Sequence, residues 1–448
     1  MILLWLALGI AVIILLTAAF RVHAFFALLI AAFIVGLGMH MPVSIVVGVV
    51  KQGFGDIMSS LGLIIILGAT LGVLLEHTGS TRVLAGFILR RTGERRAPLA
   101  MSLTGLLVGL PIFCDSGYIV LSGLNTTLAR RTGIPMIIMS VSLASGLYAV
   151  HCLIPPHPGA AGAAGTMGVD FGQLILAGIP VAILAMAAGY VWANYAGKKF
   201  MGPPPRAPLS ATSPAPTSPS PAEPQPAQPT VLLASLPIIV PILLIAVRSF
   251  LVMDKAADTG IVHSLSFLGD PVIALAVGVA MALLAGRSWN RDSMSGLLME
   301  AVEKAGGILV IIGAGGGFGA VLAATHPGQQ FEKLLAAGHP GLLFPFLLTF
   351  LLKTAQGSST VAIITAASII HPLVPALGLS GPHANLFCVL AMGAGSMMIS
   401  HANDAYFWVI TRFSGLDMRS MLKVYSVATL LMGLMAMTAT YLLYWLFP

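Results

Sequence analysis

The chain has 448 residues, 57% of them hydrophobic and only 8% charged, against roughly a quarter charged in an ordinary soluble domain, which excludes a water-soluble globule. The formal charge of +7 does not mark a nucleic-acid binder, because the basic residues stand in short loops between apolar segments, where the positive-inside rule accounts for them. Apolar runs of membrane-spanning length recur without barrel-type alternation, so the fold class is an all-α polytopic membrane protein.

The first run, Ile2 to Ala19, follows no basic stretch and precedes no small-residue cleavage site, and reads as a retained span rather than a signal peptide. Pro42 to Ser60 reads as an interfacial helix or as part of a longer third span. Arg90, Arg91, Arg95 and Arg96 crowd one short loop, and Arg130 and Arg131 another, which places both loops in the cytoplasm. The apolar stretch between them is short for two full spans and is broken by GLPIFCDSG (Gly109 to Gly117). This predicts a re-entrant hairpin with its tip near Cys114 to Gly117. Ile134 to Ala164 is interrupted by PPHPG, and Phe171 to Ala196 returns to Lys198 and Lys199.

Between Pro203 and Pro229 lie 11 of the 29 prolines, mixed with Ser, Thr, Ala and Gln, the composition of an extended linker with nothing to bury. It separates an N-terminal transmembrane repeat (1–202) from a C-terminal one (230–448), and the loop charges place the linker (203–229) in the cytoplasm. The halves match. At a displacement of 247 residues, Gly146 falls on Gly393, His157 on Asp404, Gly168 on Gly415 and Asp170 on Asp417; at 243, the Ser116 region falls on the Ser359 region. The order and polarity of the interruptions predict two inverted-topology repeats. In the second half, the second span ends inside at Arg287 and Arg291 and the third leaves near Thr325. A hairpin, Leu342 to Ile370, is broken at KTAQGSST, and an interrupted helix follows over Asn385 to Phe413. The expected architecture is about ten transmembrane helices, two of them broken, plus two re-entrant hairpins.

Four interruptions are polar at membrane depth: GLPIFCDSG, HCLIPPHPG, KTAQGSST and GAGSMMISHANDA. Backbone freed from helical bonding there must face protein or a water-filled cavity, so the four breaks point to one central site. Helix N-termini exposed at such breaks suit an anion, with small residues such as Ser116 and Gly117 letting backbone approach it. The expected ligand is a small carboxylate. Asp115 and Asp404 are costly as unpaired charges at this depth and are candidate proton-coupling acids; Asp115 is also a candidate ligand for substrate hydroxyls, with helix capping as its structural alternative. His157, beside the proline kink, is a candidate substrate donor or proton relay, with a hydrogen-bonded structural histidine as its close competitor, whereas His151 reads as structural. Gln356, Ser358, Ser359 and Thr360 at the second hairpin tip, with His401 and Asn403 beside Asp404, complete the candidate substrate site, the hydroxyls serving equally as caps. Lys353 either snorkels outward or faces the anion, and is counted with the site.

No metal is expected, since His151 and His157 find no clear third ligand. Cys114, Cys152 and Cys388 lie in apolar segments without CxxC spacing, and no cofactor is called for. The run GAGGGFGA (Gly313 to Ala320) has no preceding strand and no Lys-Ser or Lys-Thr, so it predicts close helix packing rather than a phosphate loop.

At Gly109 to Gly117, Ile154 to Gly159 (IPPHPG), Ala355 to Ala362 (AQGSSTVA) and Ser400 to Trp408 (SHANDAYFW), the sequence resembles the gluconate permease family of bacterial proton symporters. The resemblance covers both halves. It implies uptake of a sugar acid with protons across a bacterial inner membrane. Two positions depart from the family pattern: Cys114 and Asp115 stand where an aromatic residue and Glu are expected, and Lys353 where Arg is expected.

The leading expectation is a secondary active transporter for a gluconate-like monocarboxylate, its partners being the anion, protons and the bilayer, with a homo-oligomer left open. A smaller hydroxy or amino acid such as D-serine or glycerate, and sodium in place of protons, are the alternatives within transport. An intramembrane enzyme using Asp115 and Asp404, or a Ser-His pair, is the alternative of another class. No Walker A sequence is present, so the chain itself supplies no ATP hydrolysis.

Overall fold

The computed structural model describes residues 2–199, 229–253, 260–286, 291–325, 341–379, 381–402 and 404–447; nearly all of the proline linker, and Asn403, lie outside them. Among the described residues all regular structure is helical. Six helices are long and apolar enough to cross a membrane, and shorter apolar helices accompany them.

The first half begins with α1 (Ile2–Ile14), α2 (Ala24–Gly38) and α3 (Val43–His77). The Pro42 to Ser60 segment is therefore the start of a long third span: no proline occurs between Pro42 and His77, and α3 runs 35 residues, about 50 Å. After α4 (Ser80–Thr92) comes the first hairpin, α5 (Ala97–Gly109) and α6 (Cys114–Thr132). Pro111, which lacks the N–H that would continue the helical ladder, separates the arms. At 13 residues α5 reaches only about 20 Å, short of a hydrocarbon core of about 30 Å. The broken helix follows as α7 (Met136–Leu153) and α8 (Pro158–Met167), and α9 (Phe171–Lys199) closes the half.

The second half runs through α10 (Val231–Met253), α11 (Gly260–Leu268), α12 (Pro271–Ala285) and α13 (Arg291–Ala324), whose 34 residues answer the 35 of α3, and then a hairpin of α14 (Leu343–Gln356) and α15 (Ser359–Ile370). Gly357, at φ +80°, ends the first arm in the left-handed conformation that glycine adopts without strain. A broken helix, α16 (Ala384–Met397) and α17 (Ala405–Ser414), precedes α18 (Met418–Leu446). The match is positional: α8 recurs as α17 and α9 as α18, both displaced by 247 residues with bounds conserved to the residue. Gly168 (φ +66°) and Gly415 (φ +63°) end the paired half-helices. Asp170 and Asp417 then accept from the N–H three residues on, at 3.0 and 2.9 Å.

Equivalent helices from the two halves pack antiparallel. In the α3–α13 pair, Gly53 lies against Gly316 while Glu76, further along α3, meets Lys304, earlier in α13, at 4.0 Å. The α9–α18 pair behaves alike, Trp192 donating to the Val424 carbonyl at 3.1 Å while Gly189 lies against Met432. Such pairing is what a pseudo-two-fold axis in the membrane plane produces. The glycine run of α13 is a packing surface: a Cβ on Gly316 would come 2.6 Å from the Gly53 carbonyl oxygen, and one on Gly315 2.9 Å from Ile364 of α15.

Candidate functional site

The two hairpin breaks and the two broken helices meet at one cavity of about 230 Å³, below the usual range for drug-sized ligands of about 300–1,000 Å³. The first hairpin contributes Phe113, Cys114 and Asp115, and the second contributes Gly357 to Val361. Tyr148 and His151 come from α7, Asp404, Ala405 and Tyr406 from the second broken helix, and Ile308 and Ile311 from α13.

One wall is built by the N-terminus of α15. The Ser358 hydroxyl caps this helix, accepting from the Val361 N–H at 3.3 Å, and Ser359 and Thr360 open its first turn. First-turn N–H groups have no intrahelical acceptor, and with the helix dipole they favour negative charge. The opposing groups carry unused hydrogen-bonding capacity. Asp115 Oδ1, His151 Nδ1 and the Tyr406 hydroxyl are buried with no hydrogen-bond partner. His151 is 9% and Tyr406 3% exposed, so bulk water does not satisfy them. The other His151 nitrogen, Nε2, lies 3.5 Å from the Thr360 hydroxyl, and its ring stacks on Tyr148.

Asp404 reaches the cavity with its charge already engaged. Its Oδ2 receives the Lys353 ammonium at 2.7 Å and the Ser400 hydroxyl, and Oδ1 caps α17 by accepting from the Tyr406 N–H at 3.0 Å. Lys353, 1% exposed, also donates to the Gly357 carbonyl at 2.9 Å. It therefore neither snorkels nor presents a free cation to the cavity: its head ties the broken helix to the end of α14. The break itself is held by α18, where Thr429 accepts from the Ser400 N–H at 3.0 Å and Ser426 donates to the Ser400 carbonyl. Ile399, a β-branched residue at φ +46°, is strained here.

His157, the pseudo-symmetric counterpart of Asp404, does the equivalent work in the first half. It does not line the cavity: its Nε2 is bonded to the Gly109 carbonyl at 2.6 Å, one of the orphan acceptors at the end of α5. His151, read as structural, lies at the cavity, and His157 takes up the hydrogen-bonded structural alternative of its reading. Of the remaining candidates, Ser116 is half-buried, and Gly117 packs against Leu147, which a Cβ there would meet at 2.8 Å. His401 is half-buried, its carbonyl accepting from the Asp404 N–H at 2.8 Å. None of these three lines the cavity, nor does Gln356, whose side-chain N and O are buried without partners. Asn403 lies outside the described residues. Tyr148, His151 and Tyr406 were not read as site residues. Their signal is positional, each falling within about a turn and a half of a break.

A family model described as GntP family permease matches residues 1–446. A gluconate permease of Pseudomonas aeruginosa is 32% identical over 442 residues, covering 96% of this chain and 94% of its own. A D-serine transporter of Escherichia coli K12 is 28% identical, covering 98% and 97%. Among solved structures, the YdaH transporter of Alcanivorax borkumensis superposes with a TM-score of 0.62 at 16% identity, covering 89% of this chain and 88% of that one, a likeness of fold.

Proposed function

The chain belongs to the GntP permease family, and on that premise we propose that it carries a gluconate-like sugar acid inward, in symport with protons. It is a transporter and not an enzyme, a multi-pass protein of a bacterial inner membrane. The observation that carries the proposal is the pairing, in one small cavity, of a helix N-terminus suited to a carboxylate with three unpartnered polar groups suited to hydroxyls. The carboxylate sits at the first turn of α15, beside Ser359 and Thr360, and the adjacent hydroxyls reach Asp115, His151 and Tyr406.

Asp115 is the proton carrier in this reading. Asp404 holds Lys353 and caps a helix, so losing its charge would release a buried ammonium, whereas Asp115 can gain a proton without disturbing an ion pair. One proton moving with one monovalent anion transfers no net charge, so accumulation depends on the pH gradient and not on the membrane potential. The two repeats, with the cytoplasmic linker between them, provide the inverted halves between which access alternates.

Reconstituted into proteoliposomes, the protein should accumulate labelled gluconate under an outside-acid gradient without sodium, and Asp115→Asn should abolish that accumulation. Uptake requiring sodium at equal pH on both sides would sink the proton assignment. The D-serine relative keeps a hydroxy amino acid as a second substrate reading, favoured by the unpartnered Asp115 Oδ1 as an ammonium acceptor.

A further inference from the structure

The charges around the cavity set a stricter condition on the cargo, one that rests on the substrate reading above. Lys353 and Asp404 cancel each other at 2.7 Å. Among the described lining residues, Asp115 is then the one carboxylate left without a counter-ion, and no free Lys or Arg is present. The groups facing Asp115 from the packed elements are Tyr148 and His151 on α7, Tyr406 and Asp404 on α17 and its cap, Lys353 on α14, and the neighbouring Cys114. The α5 arm carries no titratable residue. The loop after α4 meets α6 at the end far from Asp115, where Glu94 pairs with Arg131 at 2.7 Å.

We propose that this cavity holds one net negative charge at a time, so that a proton on Asp115 and an ammonium on the solute are interchangeable. When the site is empty the charge is Asp115's, stabilised by the helix N-termini that converge there. A hydroxy acid brings a second negative charge into a poorly solvated site, and Asp115 must take up a proton for both to remain. An α-amino acid of the same skeleton brings its own compensating charge. Its ammonium lies where the hydroxyl would, against Asp115 Oδ1 and His151, and no proton is taken up. The proton stoichiometry thus follows the net charge of the solute.

The test compares pairs that differ only by hydroxyl and ammonium: D-glycerate with D-serine, and D-gluconate with 2-amino-2-deoxy-D-gluconate. Binding to the purified full-length protein is followed by calorimetry. Proton uptake is followed with an indicator dye in weak buffer at about pH 7.5, where an ordinary carboxyl is ionised. The expected result is one proton per hydroxy acid bound and none per amino acid, with hydroxy-acid affinity falling about tenfold per pH unit above the titration of Asp115 and amino-acid affinity flat. Asp115→Asn should bind the hydroxy acid without proton uptake, and Asp115→Glu should restore the uptake, which separates loss of charge from loss of fold. Equal proton counts for the two members of a pair, or proton uptake persisting in Asp115→Asn, would overturn the proposal; uptake lost instead in His151→Gln would transfer it to the imidazole and overturn it equally. Absence of binding by all four solutes would sink the substrate reading and this proposal with it, whereas binding without the proton difference sinks only the latter.

Discussion

Lys353 and Asp404 are separated by 51 residues in sequence and joined at 2.7 Å where both are nearly inaccessible. Removing one partner of such a pair strands a buried charge, at a cost on the order of 3–5 kcal/mol, whereas removing both is far milder. Lys353→Met and Asp404→Asn should each lower the thermal stability of the detergent-solubilised protein sharply, and the double variant should recover much of the loss. Additive losses would mean that the two do not act as a pair. The histidines divide in the same way. His157→Ala leaves the buried Gly109 carbonyl without its partner and should cost about 1–3 kcal/mol of stability, whereas His151→Gln should weaken solute binding roughly two- to tenfold with little change in melting temperature. Equal effects of both variants on stability would reject that division. The sequence revealed that these residues sit at breaks, because charge and imidazole inside apolar helix stand out. It did not reveal which of them face solute. Whether a carboxylate is committed or available depends on what a distant helix brings to it, and nothing near Asp404 in the chain announces Lys353.

The elements themselves were more legible. Pro111, the Pro155–Pro156 pair and Gly357 interrupt apolar runs where a bilayer tolerates no free backbone, so the breaks could be placed to within a few residues. The run from Gly313 to Ala320 was legible as a packing surface for the same reason: it lies inside a span with none of the surroundings a phosphate loop needs. Its partners were not, since any small-residue stripe fits any other. Because a Cβ on Gly316 would approach the Gly53 carbonyl to 2.6 Å, both being backbone-limited, Gly316→Val should force α13 off α3 and reduce the amount of folded protein in the membrane. Gly306, with open space around its absent Cβ, provides the control: Gly306→Ala should be neutral or stabilise by up to about 1 kcal/mol. If the two variants behave alike in a fluorescence-detected size-exclusion assay, close approach is not what the glycines supply.

For the molecule as a whole, the α3–α13 and α9–α18 contacts join the halves directly, so a purely connecting role is the expectation for the proline-rich segment 203–229. Deleting roughly its central dozen residues should leave uptake nearly unchanged, provided the remainder still spans the gap. Loss of transport in protein that still reaches the membrane would assign that segment a binding or gating role. Inverted halves also predict that cysteines placed near Thr127 and near Ile370, on a background lacking the three native cysteines, label from opposite sides of the membrane; labelling from the same side would contradict the opposed hairpins.

The unbroken register from α8 and α9 to α17 and α18 has a practical consequence: it makes the chain its own internal reference. Every position from Pro158 to Lys199 has a twin 247 residues on, in the same kind of element but in the opposite orientation and with different neighbours. In a saturation mutagenesis scan read by growth on a transported acid, twins that serve only the scaffold, such as Gly168 and Gly415 or Asp170 and Asp417, should return superimposable tolerance profiles. Asp→Ala at either cap should cost a similar ~0.5–2 kcal/mol. Where twin profiles diverge, the two halves have parted in task. The cap pair His157 and Asp404, one bonded to a carbonyl and the other to an ammonium, should be among the most divergent.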